Sequence, residues 1–454
     1  MTVLKTIKLL FFVACWTLPF HIATSTKALA ISLIRDAEIE NTIAIYADPI
    51  LKAAGLSSDG VEIYLVKDSR LNAFVTGGQK LFIHTGLLQR SRTPEQVIGV
   101  IAHEAGHIAG GHLSRIKQKM QGFSAESIIG YVLGGAAILA GQGGAGAGLI
   151  IGGQTASQLS LLQYSRTEEG SADQAAVKYL DATGISSKGL LQFFEILKRE
   201  EVTKTSEQNP YIRSHPLTGE RVSFLKSHVA QSKFSNLRVP TVLQERHARM
   251  RAKLDAYLLP AEHTLRLYPL GDTSIPARYA RAQAYHLDSQ LDKALTEINS
   301  LIEQRPNDPY FHELKGQIYF ENGKLEESIA SYTRANELLP NHPLILLALG
   351  RAYLETEDPK KLDTAISLLE ETVKNDKRSG FIWRQLGIAY GRAGQMAKSS
   401  LALAEEAYLY RKYKDAIFLA TRAEKGFKTG SRHWIQAQDL RLTAERLLKK
   451  QRKK

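Results

Sequence analysis

The feature that most constrains this 454-residue chain is a period of 34 residues in its second half. Ala282 and Tyr285 recur as Gly316 and Tyr319 and again as Gly350 and Tyr353, and Pro306-Asn307 recurs as Pro340-Asn341. Small residues at fixed positions mark sites where two helices cross closely, and a proline after the second helix stops it. Such units stack into a curved solenoid that binds partners or packs on a neighbouring domain, with no chemistry of its own. The next interval, Gly350 to Gly387 and Tyr353 to Tyr390, is 37 residues, and the three extra residues are expected in Glu355 to Lys361. Less regular helical pairs continue through Tyr413-Lys414-Asp415-Ala416-Ile417.

The length leaves room for two or three domains, so the repeats are one module and residues before about 275 form another. Hydrophobic residues at 44% and charged residues at 23% are ordinary for a globular chain and exclude a disordered or polytopic membrane protein. Lys5 and Lys8, the apolar run Leu9 to Trp16 and the ending Ala28-Leu29-Ala30 follow the order of a secretory signal peptide cleaved after Ala30. The single cysteine, Cys15, would leave with that leader, so no thiolate serves as ligand or nucleophile. The formal charge of +13 falls to +10 once Lys5, Lys8 and Lys27 are removed (13 − 3). An exported basic protein points to peripheral contact with anionic membrane surfaces or to acidic partners, and away from nucleic acid. The tail Lys449 to Lys454 concentrates that charge.

Between leader and repeats, residues 31 to 56 read as a helix, with apolar residues at Ile34, Ile39, Ile43, Tyr46 and Ile50. The runs Val61 to Val66, Asn72 to Val75 and Lys80 to His84, split by Gly77-Gly78, predict a small antiparallel sheet. Thr93 at a cap and Pro94 at the first helical position open a helix expected to run to about Lys119. The glycine-rich stretch 127 to 162 is expected to be a mobile or membrane-touching flap; its apolar arms are too short to cross a bilayer. Helix resumes over 163 to 230, and Pro240, Pro260, Pro269 and Pro276 suit a connector over 236 to 275.

His103-Glu104-Ala105-Gly106-His107 places two imidazoles nearly one turn apart on one helical face, where they can close on a single Zn²⁺. Glu104 is positioned to take a proton from a water that the metal activates. A catalytic zinc needs a third protein ligand and an open position. His112 lies five residues past His107 and on a continuous helix points well round from the ligand face. The better candidate lies in Ser165 to Asp173, where Glu169 and Asp173 share a face, one for the metal and one for a ligand histidine. Spacing alone leaves Glu168 and Glu169 as alternatives.

H-E-x-x-H followed by S-R-x-x-E-x-x-A-D resembles the gluzincin endopeptidases that include HtpX and the CAAX prenyl-protein proteases. With a leader and tetratricopeptide (TPR) repeats, the chain resembles their periplasmic BepA-type branch. The resemblance implies an α+β zincin-like protease domain over 31 to 235, a connector over 236 to 275 and an all-α TPR domain over 276 to 454. It implies zinc on His103, His107 and Glu169, the catalytic base at Glu104 and a supporting carboxylate at Asp173. It also implies a substrate-binding edge strand at Asn72, Ala73 and Phe74, and polypeptide substrates among misassembled outer-membrane proteins, with the repeats meeting the assembly machinery. HtpX-like members carry membrane helices around the protease domain, and no segment here is long enough to be one. His215, in Ser214-His215-Pro216, also matches the branch; it can be a plain loop residue, an oxyanion donor or a brake on the open zinc position. On this reading Glu168 faces elsewhere and is dispensable for metal binding. The rival reading is a chaperone or assembly scaffold acting through the repeats, and a third is a lipid-associated binding module.

Overall fold

The computed structural model describes residues 32–77, 79–119, 154–203 and 210–452. The expected leader lies outside these residues, as does the glycine-rich stretch up to residue 153. No helix among the described residues is long and apolar enough to cross a membrane.

The first module is α+β. It runs β1 (Leu33–Ile34), α1 (Ala37–Ala53), β2 (Glu62–Val66), β3 (Ala73–Thr76), β4 (Lys80–His84), α2 (Thr85–Arg90) and α3 (Pro94–Ala109). Then come α4 (His112–Lys119), α5 (Gln154–Ala182), α6 (Lys188–Thr203), α7 (Pro210–Ser214) and α8 (Gly219–Gln231). The first helix starts later than its apolar spacing predicts, because the Asp36 side chain accepts from the Ile39 amide at 2.9 Å and caps it, leaving Ile34 in a strand.

The sheet is not purely antiparallel. Its order is β1-β2-β4-β3, with β2 and β4 parallel (Glu62 opposite Lys80 through Val66 opposite His84). After β2 the chain crosses to the far edge before forming β3, and the tight turn at Gln79 (φ 58°) returns β4 into the gap. Length and alternation do not report which neighbour a strand chooses, so this crossing was invisible in sequence. Strand β3 therefore lies at the edge.

Helix α3 is enclosed by α1, α5 and α6, and Val97, Ile98, Val100 and Ile101 are buried in one core with Ile43, Tyr46, Leu180 and Phe193. It stops at Ala109 instead of running to Lys119. Gly111 takes a left-handed conformation (φ +65°) that ends the helix, and α4 leaves in a new direction.

Residues 241–267 form two helices, α9 (Thr241–Leu258) and α10 (Ala261–Leu267). Pro240 and Pro260 occupy their N-caps, where a missing amide hydrogen costs nothing. The repeats follow as α11 (Ile275–Leu287), α12 (Leu291–Gln304), α13 (Pro309–Glu321), α14 (Leu325–Leu338) and α15 (Pro343–Glu355). They continue through α16 (Pro359–Asn375), α17 (Gly380–Arg392), α18 (Met396–Leu409), α19 (Tyr413–Gly426) and α20 (Arg432–Arg452). Helix α16 starts nine positions after Gly350, as α14 starts nine after Gly316, but Gly350 packs on Leu369, 19 positions on, where Gly316 packs on Tyr332, 16 positions on, so the three extra residues enter at the start of α16, in keeping with the expected stretch up to Lys361. They lengthen α16 to 17 residues against 14 in α12 and α14.

Helix α9 joins the modules. Met250 and Leu254 enter the protease core, while Ala252 and Ala256 pack on Ala280 of α11. Between them Arg249 bonds Glu38 at 2.7 Å and Asp308 at 2.5 Å, and Lys253 bonds Asp36 at 2.7 Å with Glu313 at 3.7 Å. Removing one partner of a buried set like this costs roughly 3–5 kcal/mol, which makes the junction far more than a tether. A second contact pairs Arg35 with Asp376 at 2.9 Å and Arg378 with Glu62.

Burial pushes the Glu313 carboxyl up to about 7 against the pull of Lys253, with Asp36 and Glu38 adding to the rise. A carboxyl raised in the folded state contributes stability that is full below its unfolded value of 4.5 and is lost as pH climbs through about 7. Glu313→Gln, which cannot ionise, is expected to gain in unfolding temperature relative to the native protein between pH 5 and 8. A difference that stays constant over that range in calorimetry contradicts this account.

Candidate metal centre and active site

The site depends on one close helix crossing. A Cβ on Gly106 would stand 2.9 Å from the Ala172 carbonyl oxygen, so only glycine lets α3 approach α5 at this level. That approach sets His103, Glu104 and His107 of α3 against Glu169 and Asp173 of α5, all buried. His215, in the turn after α7, closes the group.

Four side-chain donors converge. His103 Nε2 lies 3.1 Å from His107 Nε2, 3.3 Å from Glu169 Oε2 and 3.4 Å from His215 Nδ1. Glu169 Oε1 is 3.2 Å from His107 Nε2 and 3.0 Å from His215 Nδ1. One ligand atom from each of the four residues falls within 4.8 Å of the others. Three imidazoles and a carboxylate buried this close together could hold a metal ion; without one their lone pairs would face each other at a steep desolvation cost.

The surroundings orient the donors. His103 Nδ1 meets Asp173 Oδ1 at 2.9 Å, which leaves Nε2 to face the centre. Arg221 of α8 grips Asp173 with Nε at 2.6 Å and Nη2 at 2.9 Å, and its Nη1 reaches Glu169 Oε2 and the Pro216 carbonyl, each at 2.9 Å. Burial acts against ionising Glu169 and Asp173, yet His215 and Arg221 for the first, and Arg221 and His103 for the second, hold both below the usual carboxylate range. Burial would depress His103, but Asp173 and Glu169 outweigh it and carry it up to about 9 before any metal enters. His107 and His215 are lowered by burial. Neither Glu104 oxygen has a hydrogen-bond partner among the described residues; His215 Nε2 stands 3.4 Å from Oε1, and burial raises this carboxyl to about 7.

Every residue expected in the metal group is thus brought together, and Glu169, not Glu168, faces the centre. His112 does not point away. Because the helix breaks at Gly110-Gly111, its ring returns to put Nδ1 2.8 Å from His107 Nδ1, and Glu168 lies 2.6 Å from its Nε2. Ala73 and Phe74 lie in β3, whose outer edge pairs with no strand among the described residues and which packs against α3 and α7. Their side chains are buried, Phe74 stacking on Phe82 at 5.0 Å, and the Asn72 carbonyl is occupied by the His84 amide. Asn72, Ala73 and Phe74 are almost wholly buried, main chain included, so in this conformation the expected edge strand is covered. Sequence reasoning missed the role of Arg221; the signal was that two buried carboxylates one turn apart require a cation.

This fold and site define a metalloprotease joined to a helical repeat module. Residues 34–229 match the profile of peptidase family M48 and residues 316–356 match that of a TPR repeat, so the chain carries an M48 peptidase domain followed by TPR repeats. It is 24% identical over 403 residues to the beta-barrel assembly-enhancing protease of Yersinia pestis, covering 86% of this chain and 80% of that one. The protein of the same name in Escherichia coli (strain K12) is 24% identical over 385 residues, covering 81% and 75%. The metalloprotease LoiP of Escherichia coli (strain K12) is 29% identical over 176 residues, covering 37% and 62%.

Asp173→Asn keeps the shape but removes the charge that orients His103. It is expected to weaken metal binding about 10- to 100-fold. Chelator competition giving the native affinity would contradict that assignment.

Proposed function

We propose that the chain is a zinc-dependent endopeptidase of the cell envelope that hydrolyses misassembled outer-membrane proteins. The observation that supports zinc is the spacing of the donors. An ion bound tetrahedrally at about 2.0–2.1 Å holds its ligand atoms about 3.3 Å apart; five of the six pairs among His103, His107, Glu169 and His215 come to 3.0–3.4 Å through one or other Glu169 oxygen, and one ligand atom from each residue lies within 4.8 Å of the rest. When bound, zinc polarises the scissile carbonyl and lowers the pKa of a water beside it. Glu104, whose oxygens have no hydrogen-bond partner among the described residues, takes the proton of the attacking water and delivers it to the leaving amine. The outer edge of β3, which pairs with no strand among the described residues, takes the substrate as an added strand once it is uncovered.

His215 fills the position a catalytic site keeps open and places its other nitrogen near Glu104, so in this conformation it acts as a brake. Arg221 ties the brake to the ligands through the Pro216 carbonyl. Opening requires that turn to move, which a substrate held by the repeats or an assembly partner could bring about. The target class follows the relatives named beta-barrel assembly-enhancing proteases, and export to the periplasm follows the leader read in residues 1 to 30. The complete ligand set with its base argues against a pure scaffold.

Glu104→Gln is expected to retain zinc and lose hydrolysis of an unfolded protein; turnover in a zinc-replete sample of that variant sinks the mechanism. The same variant restoring envelope assembly in cells would favour the scaffold. His215→Ala is expected to raise steady-state hydrolysis. A fall of about 100-fold, the effect of losing an oxyanion donor, would replace the brake with that role.

A further inference from the structure

The side of the site away from Arg221 contains a second polar chain that the proposed mechanism does not use. His112 and Glu168 are both buried, and Glu168 also bonds Arg115 in bidentate fashion, Oε1 to Nε at 3.1 Å and Oε2 to Nη2 at 2.6 Å. The order is His107, His112, Glu168, Arg115, each member in contact with the next. Arg115 further donates to the Gly110 carbonyl, which fastens the outer end to the turn between α3 and α4.

The proton positions along it follow from what each group can do. A carboxylate accepts only, so the His112 nitrogen facing it, Nε2, bears hydrogen. In a neutral ring the other nitrogen, Nδ1, is then an acceptor, and the only hydrogen it can receive across the 2.8 Å contact is on His107 Nδ1. His107 Nε2 is left with its lone pair directed at the centre. On the other ligand, Asp173 does the same for His103 directly. The local backbone is built for the arrangement. A Cβ on Gly110 would stand 2.3 Å from His112 Nε2, and the left-handed Gly111 is what folds the ring back.

We infer that His112 and Glu168 are positioning residues for the metal, the His112 ring, oriented by Glu168, accepting the Nδ1 proton of His107 and so fixing its Nε2 on the ion. This rests on the metal site proposed above and reverses the expectation that Glu168 is dispensable. It also explains why two adjacent glutamates are both buried: Glu169 serves the ion and Glu168 serves the ring behind its ligand.

The test is Zn²⁺ affinity of the full chain by chelator competition, together with the unfolding temperature of the metal-free protein. His112→Ala and Glu168→Ala are expected to bind Zn²⁺ about 10- to 100-fold more weakly, the usual cost of losing an outer partner of a ligand histidine. Glu168→Gln, whose amide oxygen still accepts, is expected to fall between them and the native protein. Gly110→Ala is expected to lose affinity although it removes no polar group. The metal-free unfolding temperature of Glu168→Gln should match the native one, which a purely structural role would not allow together with lost affinity. Native Zn²⁺ affinity, within about twofold, in Glu168→Gln and in any folded His112→Ala or Gly110→Ala overturns the inference. A native chain that takes up no Zn²⁺ overturns the metal reading itself, whereas native uptake with unaltered variants overturns only the roles of His112 and Glu168.

Discussion

The contact between Gly106 and the Ala172 carbonyl sets the distance between two helices, and the chemistry of the site depends on that distance. Helix α3 supplies two imidazoles and a base, α5 supplies two carboxylates, and neither helix can hold an ion alone. Bringing two carboxylates into a buried space beside a third, Glu104, would be prohibitive without compensation. Arg221 provides it by bonding both Asp173 and Glu169. The same guanidinium holds the Pro216 carbonyl, so the residue that stabilises the ligand set also places His215 over it.

The two modules are coupled by the same physics at larger scale. Arg249 and Lys253 sit between carboxylates from both, and each has an aromatic face nearby, Arg249 lying 4.5 Å from the Phe311 ring centroid and Lys253 5.6 Å from that of Tyr279. A guanidinium with a carboxylate on each side and a ring against its face has little freedom to reorient. The repeats therefore present a fixed edge to the protease domain.

Much of this was legible in the sequence, and the reasons differ by element. The repeats follow from a period that any stacked helical hairpin must keep. The metal helix follows from a spacing that only a helix turns into convergence, and Glu169 is preferred to Glu168 by resemblance, since both lie on α5 and both are buried. The parallel pairing of β2 and β4 was not legible, because strand order is decided by where the connection runs. The contact of His112 with His107 was hidden for a simpler reason: its angular position holds only along a continuous helix, and Gly110-Gly111 ends that helix. Two consecutive glycines three residues past a ligand histidine were the available signal. The prolines at 240 and 260 suggest a connector, but at helix N-caps they begin helices, and α9 is the element on which both modules pack.

The lengthened helix α16 bears on how such a chain can vary. Its three additional residues, added at its start, lengthen it by about 4.5 Å at the helical rise, and the loop that follows its other end is the one that meets Arg35 and Glu62. The irregular interval is therefore where the solenoid reaches back to the first module. Between α11 and that loop the copy number is fixed, because adding or deleting one unit would carry Asp376 and Arg378 away from their partners. Beyond it the repeat ion pairs among the described residues, such as Arg384 with Glu406 and Arg441 with Glu424, stay within the solenoid. Units could be gained or lost at that end without disturbing the junction, so the solenoid has an anchored half of set length and an outer half whose length is free to evolve.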